Sequence, residues 1–137
     1  MVTAGDCNFF YGKGNKIQLG TGLFVHHRIV TAVTKLELVS DRVSHTVLRS
    51  RWCNFTIPNV HAPSEKKNDD SKDSFFLGIR AGFFCKLPKY HLKILLGHFI
   101  ARVGRENIFK PTVGNDSLHQ VSKDNGIRIV NFVISKI

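Results

Sequence analysis

Acidic residues are scarce in this sequence. Its 137 residues hold 10 Asp and Glu against 20 Lys and Arg, a net charge of +10. Cysteine is scarce too. Cys7, Cys53 and Cys85 are odd in number, widely spaced and without a Cys-x-x-Cys pair. That argues against a disulfide framework and a structural zinc site. Cys53 and Cys85 lie in apolar runs and read as small core residues. Long apolar stretches are also missing. Residues 75–85 and 92–100 are too short to span a bilayer, and Arg80 interrupts the first. The first 20 residues lack the apolar centre of a signal peptide. The sequence therefore predicts an intracellular chain, nuclear or cytoplasmic. It predicts no membrane partner, since no basic amphipathic helix stands out.

What is present is enough for one domain. Apolar residues make up 42% and charged ones 22%, which places the chain among globular rather than disordered proteins. The positive charge is uneven: residues 1–64 carry a net +4, residues 65–85 balance, and residues 86–137 carry +6. A basic surface of this kind favours a polyanion, DNA or RNA, because each neutralised phosphate releases counterions. The plainer reading is that the charge keeps the protein soluble.

The pattern along the chain predicts an α/β fold. Residues 1–21 are Gly-rich and read as a weakly structured lead-in. Gly12-Lys13-Gly14-Asn15 is a turn, lacking the spacing of a phosphate-binding loop. Residues 22–33, 44–51 and 52–60 read as strands. In the last, Cys53, Phe55 and Ile57 alternate with Asn54 and Thr56, which predicts a half-buried strand. Pro58 is awkward there, since proline belongs on edges or bulges. Ser71 or Asp73 caps a helix that puts Phe75, Ile79, Phe83 and Leu87 on one face and ends at Pro88. Gly78 and Gly82 weaken it, and Phe76, Leu77 and Phe84 fall on its outer face. Residues 92–96 have the shape of a buried strand. A long loop runs to about Lys123. The apolar end of the chain fits a helix with Ile127, Val130 and Ile134 on one face, though its β-branched content leaves a strand open.

Three patterns stand out together: Asn59-Val60-His61-Ala62-Pro63-Ser64, then Gly97-His98-Phe99-Ile100, then Asp124-Asn125-Gly126-Ile127-Arg128. With Gly20-Thr21-Gly22-Leu23-Phe24-Val25, Arg51-Trp52-Cys53-Asn54 and Gly104-Arg105-Glu106-Asn107-Ile108-Phe109, they resemble the endonuclease/exonuclease/phosphatase superfamily. The likeness is to its LINE retrotransposon branch of BovB/RTE type, and covers most of the chain from about Tyr11 onward.

The resemblance implies a partial four-layered α/β sandwich, deoxyribonuclease-like and truncated at both ends, with residues 1–137 as one partial domain. It implies phosphodiester hydrolysis with Mg²⁺, in which a carboxylate holds the metal and polar partners position water and phosphate. The family's Gly-Asp-Phe-Asn motif falls on Gly97-His98-Phe99-Ile100. His98 therefore replaces the catalytic Asp and Ile100 the catalytic Asn. Isoleucine neither donates nor accepts a hydrogen bond. His61 and Ser64 match the strand-end motif loosely, and His61 reads equally as a loop histidine beside a proline. The family's metal-binding Glu and its late Ser-Asp-His stretch have no counterpart.

The expectation is a degenerate fragment without efficient chemistry, retaining no Mg²⁺ and with no metal ligands to name. The alternative is a non-catalytic module that binds nucleic acid through Arg102, Arg105 and Lys110. A third reading, a working nuclease using His98 as ligand or base, requires the missing motifs to come from elsewhere. His26-His27 do not make a zinc site, since neighbours in a strand point to opposite faces.

Overall fold

The structure, a computed structural model, describes residues 2–11, 21–110, 112–114 and 116–136. The expected turn at Gly12–Asn15 lies outside them. The fold is α/β: the described residues form two sheets of three and five strands, with two helices and several short helical turns. The chain divides into two compact units. One comprises Met1–His61 and Leu87–Gly97; the other comprises Ala62–Lys86 and His98–Ile137.

The first unit opens with more order than its glycine content suggests. β1 (Val2–Ala4) and β2 (Cys7–Tyr11) pair antiparallel, and β2 pairs with β3 (Gly22–His26). The turn between β1 and β2 needs Gly5, whose φ of 57° is in the left-handed region. Residues 22–33, expected as one bent strand or a pair, are β3 followed by a 3₁₀ segment, His27–Ala32. The His26 ring accepts the N–H of Arg28 at 3.2 Å and starts that turn.

The larger sheet has the order β4 (Val33–Ser40), β5 (Val43–Leu48), β6 (Phe55–His61), β7 (Leu92–Lys93), with β8 (Leu96–His98) also beside β6. β5 is buried from Val43 to Val47. In β6 the expected faces are reversed in depth. Thr56, Pro58 and Val60 are fully buried, while Phe55 and Ile57 are half-buried. Both faces of this central strand are covered, so alternation of polarity does not report which side is deeper. Cys53 precedes the strand in a bend and is exposed, as is Cys85; neither is a core residue.

Pro58 sits in mid-sheet, against expectation, and the pairing explains it. The carbonyls of Asn54 and Thr56 accept the N–H groups of Leu92 and Ile94, each at 3.0 Å. Backbone groups of even-numbered residues in β6 therefore face the β7–β8 side. The N–H that Pro58 lacks would point to the gap between β7 and β8, where the ladder is interrupted. The segment 92–96 is accordingly an edge rather than a buried strand. Leu92, Ile94 and Leu96 remain 41–52% exposed.

In the second unit, α1 (Asp69–Leu77) is capped by the Asn68 side chain, which accepts the N–H of Ser71 at 2.9 Å. The expected caps, Ser71 and Asp73, lie inside the helix. The chain continues through a π-helical segment, Gly78–Phe83, and a 3₁₀ turn, Phe84–Lys86. A widened turn of this type absorbs two glycines without a regular helix having to carry them. The buried stripe is Lys72, Phe76, Ile79 and Phe83. Phe76 is thus inside, not outside, and Phe84 meets Phe132 edge-on with ring centroids 5.1 Å apart. Leu77 is exposed, as expected.

The terminal segment is a helix, α2 (Asp124–Ile134). Its buried residues are Asn125, Gly126, Val130 and Phe132, whereas Ile127 and Ile134 are exposed. The covered stripe differs from the expected one because the helix begins at Asp124 and its first turn is clamped by the chain. A Cβ on Gly126 would lie 1.9 Å from the carbonyl oxygen of Arg102. The Gly126→Ala variant is therefore expected to lose at least about 2 kcal/mol of unfolding free energy, as overpacking against backbone does. Urea unfolding checks this; an unchanged midpoint would contradict the close approach.

Candidate functional site

The end of β8 and the segment after it carry His98 and Ile100, two of the residues expected from sequence. The approach of β8 is set by Gly97, where a Cβ would fall 2.2 Å from the Val60 carbonyl oxygen. No larger residue lets β8 lie so close to β6. His98 follows and is exposed, and its carbonyl accepts the N–H of Ala62 at 3.0 Å. Ile100 has φ 47°. A β-branched residue in the left-handed region is a genuine outlier, because its side chain crowds its own backbone.

That conformation is held by Asn125. Its side-chain N–H groups are shared among the carbonyls of Pro63 at 3.0 Å, Phe99 at 3.3 Å and Ile100 at 3.3 Å. The amide is fully buried, and its Oδ1 has no hydrogen-bond partner among the described residues. A single amide thus ties the segment after β6 to the segment after β8. The backbone N–H of Asn125 donates to Glu65 Oε1 at 3.1 Å, so that carboxylate closes the start of α2.

Around this clasp lies a set of ion pairs on the two helices. Buried Lys72 donates to Asp124 and lies 3.6 Å from Asp69. The hydrogen bond to Asp124 holds its ammonium above the usual lysine range. Arg128 meets Asp73, Asp124 at 3.1 Å and Asp69 at 3.4 Å. These groups pair with one another, which is a structural use of charge. Glu106 does similar work in the loop before α2. It accepts the N–H of Ser122 at 2.5 Å and the hydroxyl of Ser122 at 2.9 Å, and these bonds keep its pKa low.

The residues expected from sequence fall as follows. His61 ends β6 in the first unit, where its N–H donates to the Arg42 carbonyl at 2.8 Å and its own carbonyl accepts from the Arg42 guanidinium at 3.3 Å. Ser64, half-buried in the second unit, begins the turn in which its carbonyl accepts from Lys67 at 3.0 Å. His98 and Ile100 share the turn described above. Arg102 is exposed. Arg105 donates from Nε to the Ser117 carbonyl, so it also pins the loop. Lys110 is exposed at the end of a short 3₁₀ turn. Asn125 and Gly126 were visible as a motif, but only their contacts reveal their role as the clasp.

The donor set does not fit a magnesium ion. Mg²⁺ takes oxygen ligands, usually carboxylates. The turn offers an imidazole and a hydrocarbon, and nearby Glu65 is engaged by α2. Among the described residues, no three His, Cys, Asp or Glu side chains gather as a metal site.

Two measurements follow. Because Asn tolerates the left-handed conformation and Ala does not, Ile100→Asn is expected to be more stable than Ile100→Ala by roughly 1 kcal/mol. Equal unfolding midpoints would mean the strain is not there. The second concerns His45, which is buried on β5 with Glu37 Oε2 at 3.9 Å from its Nε2. Burial lowers its pKa below the ordinary 6.5, Lys35 adds to this, and Glu37 opposes it. The unfolded chain then takes up the proton first. Stability is full above about pH 6.5 and declines as pH falls below it. His45→Gln is expected to flatten that decline in urea midpoints, and an equally steep profile would assign it to other groups.

Compared with models of known protein families and with the curated proteins, the chain has no match.

Proposed function

We propose that the chain is a phosphodiesterase-like domain of the endonuclease/exonuclease/phosphatase type, of retrotransposon origin, that has lost its catalysis. The resemblance carried by Gly97-His98-Phe99-Ile100 supports this reading, and with it the partial four-layered sandwich. The observation that carries it is the backbone of Ile100. A left-handed turn suited to Asn holds an isoleucine that gains nothing from it. The neighbouring His98 supplies no negative charge for a metal. Losing one acid–base group typically costs about 10²–10⁴ in rate, and here both positions are altered.

A second reading is a non-catalytic module that binds DNA or RNA. It is supported by the net charge of +10 and by the exposure of Arg102 and Lys110. Such binding weakens steeply with salt and ignores sequence.

Nicking of supercoiled plasmid by the purified chain, with Mg²⁺ and with EDTA, tests the first reading. The wild-type chain is expected to leave the plasmid intact in both. Nicking that requires Mg²⁺ and disappears in His98→Ala would overturn the proposal and make His98 a catalytic residue. The double variant His98→Asp with Ile100→Asn runs alongside. Activity in it alone would place the loss at these two positions.

A further inference from the structure

At the opposite end of β6 from His61, two large aromatic side chains stand in solvent. Trp52 is 88% exposed and Tyr90 is 93% exposed. Each offers a flat apolar face with a polar tip, and covering it would gain free energy. They come from different segments, whose adjoining strands are paired at one end of the sheet. Trp52 lies in the loop between β5 and β6, three residues before Phe55. Tyr90 lies two residues before Leu92. Phe55 and Leu92 are paired in parallel, and the Leu92 N–H donates to the Asn54 carbonyl at 3.0 Å. Both loops thus leave the same end of adjacent strands, which in a sheet lie roughly 5 Å apart.

Neither loop is loose. The Arg49 N–H donates to the Ala32 carbonyl at 2.7 Å. The His91 ring is hydrogen-bonded to the Thr56 hydroxyl at 2.8 Å, and Lys93 Nζ donates to the carbonyls of Pro88 and His91 at 3.0 and 3.2 Å. The aromatic rings are therefore carried on anchored backbone, which lowers the ordering cost of a contact.

The charge within the two loops is of one sign. Arg49, Arg51, Lys89 and Lys93 lie within the two loops or at their base. The sequence holds no Asp or Glu from residue 42 to 64 or from 74 to 105. Of the carboxylates in this unit, Glu37 is in mid-strand and Asp41 is at the far turn. Asp6 lies on the turn whose carbonyl accepts the His27 N–H. The Arg51 guanidinium lies 5.4 Å from the centroid of the Trp52 ring.

We propose that Trp52 and Tyr90, flanked by Arg49, Arg51, Lys89 and Lys93, form a stacking platform for single-stranded nucleic acid. Bases stack on the two rings, and the cations follow the phosphates. A duplex hides its base faces and gains only the charge contribution. Flat aromatic faces beside cations are what bases and phosphates recognise, whatever the sequence. This deepens the second reading above, on which it rests, by naming its surface and its ligand class. It does not depend on the fate of the His98 turn.

Trp52 is the only tryptophan of the chain, so its fluorescence reports on the platform directly. The wild-type chain in EDTA is titrated with a single-stranded oligothymidylate of roughly a dozen nucleotides. Saturable quenching of Trp52 is expected, with a log–log salt slope of about −3 if four cations contribute. The same-length duplex is expected to bind more weakly. By anisotropy of a labelled oligonucleotide, Trp52→Ala and Tyr90→Ala should each lower affinity about tenfold. Trp52→Phe should restore part of the loss. Both side chains are exposed, so these variants keep the fold, which circular dichroism checks.

Salt-sensitive binding that persists undiminished in Trp52→Ala and Tyr90→Ala overturns the platform and leaves the general nucleic-acid reading standing. No binding at all removes both. Equal affinity for duplex and single strand also overturns stacking. A blue shift of Trp52 with phosphatidylserine-containing vesicles, without quenching by the oligonucleotide, assigns the patch to an anionic lipid surface instead.

Discussion

The backbone of β6 organises both ends of the larger sheet, and the missing N–H of Pro58 decides how. On one side β6 is paired to β5 from Val43 to Leu48. On the other, a continuous partner strand would have to face a proline that donates nothing. The chain answers with two short strands instead. β7 pairs beside Phe55 and Thr56, and β8 lies beside Val60. The break costs little, because the group it leaves without a partner is one that proline lacks. Each fragment then positions one segment: β7 follows the turn carrying Tyr90, and β8 ends at His98. A mid-sheet proline is thus compatible with a central strand when the neighbouring edge is divided opposite it.

In the second unit the equivalent constraint is a buried amide. Asn125 has two N–H groups to offer three carbonyls, so its bonds are shared and long on average, between 3.0 and 3.3 Å. Leaving those carbonyls without a donor would cost more than the bonds gain, since desolvated acceptors are penalised in full. Gly126 allows the Arg102 backbone to approach, and Glu65 holds the N–H of Asn125. The ion pairs of Lys72 and Arg128 surround this arrangement. Those of exposed carboxylates are worth little individually. The amide and the glycine therefore define the local geometry, and the charges only reinforce it.

How much of this was legible in the sequence depends on the kind of signal. The α/β class, strands β5 and β6 and the helical region after Asn68 follow from the spacing of apolar residues, whereas the terminal helix remains open to a strand on that pattern. The helix caps do not, because Asn68, Ser71 and Asp73 are all competent cap residues and only the backbone selects one. Burial depth was misjudged at Cys53, Phe76 and residues 92–96. In each case the polarity pattern says that a residue is apolar, but not whether a neighbouring element covers it. The turn at residues 97–100 was found through a resemblance. Its strain at Ile100 was not, because φ is a consequence of the contacts that Asn125 makes from 25 residues away. Trp52 and Tyr90 are 38 residues apart, and only the Phe55–Leu92 pairing puts them at one sheet end.

A final point concerns which residues the scaffold can release. The shape of the turn after β8 is imposed by Gly97, Asn125 and Gly126, each through a backbone contact that tolerates no other residue easily. His98 is exposed, and Ile100 is held in a conformation its side chain opposes. Asn at position 100 relieves that strain, whereas substitution at the three scaffold positions removes the contacts that set the backbone. Under the proposed reading, a chain released from selection for phosphodiester cleavage but still required to fold would change first where the chemistry sat. Retention of the clasp beside an altered turn is the pattern that physical argument predicts.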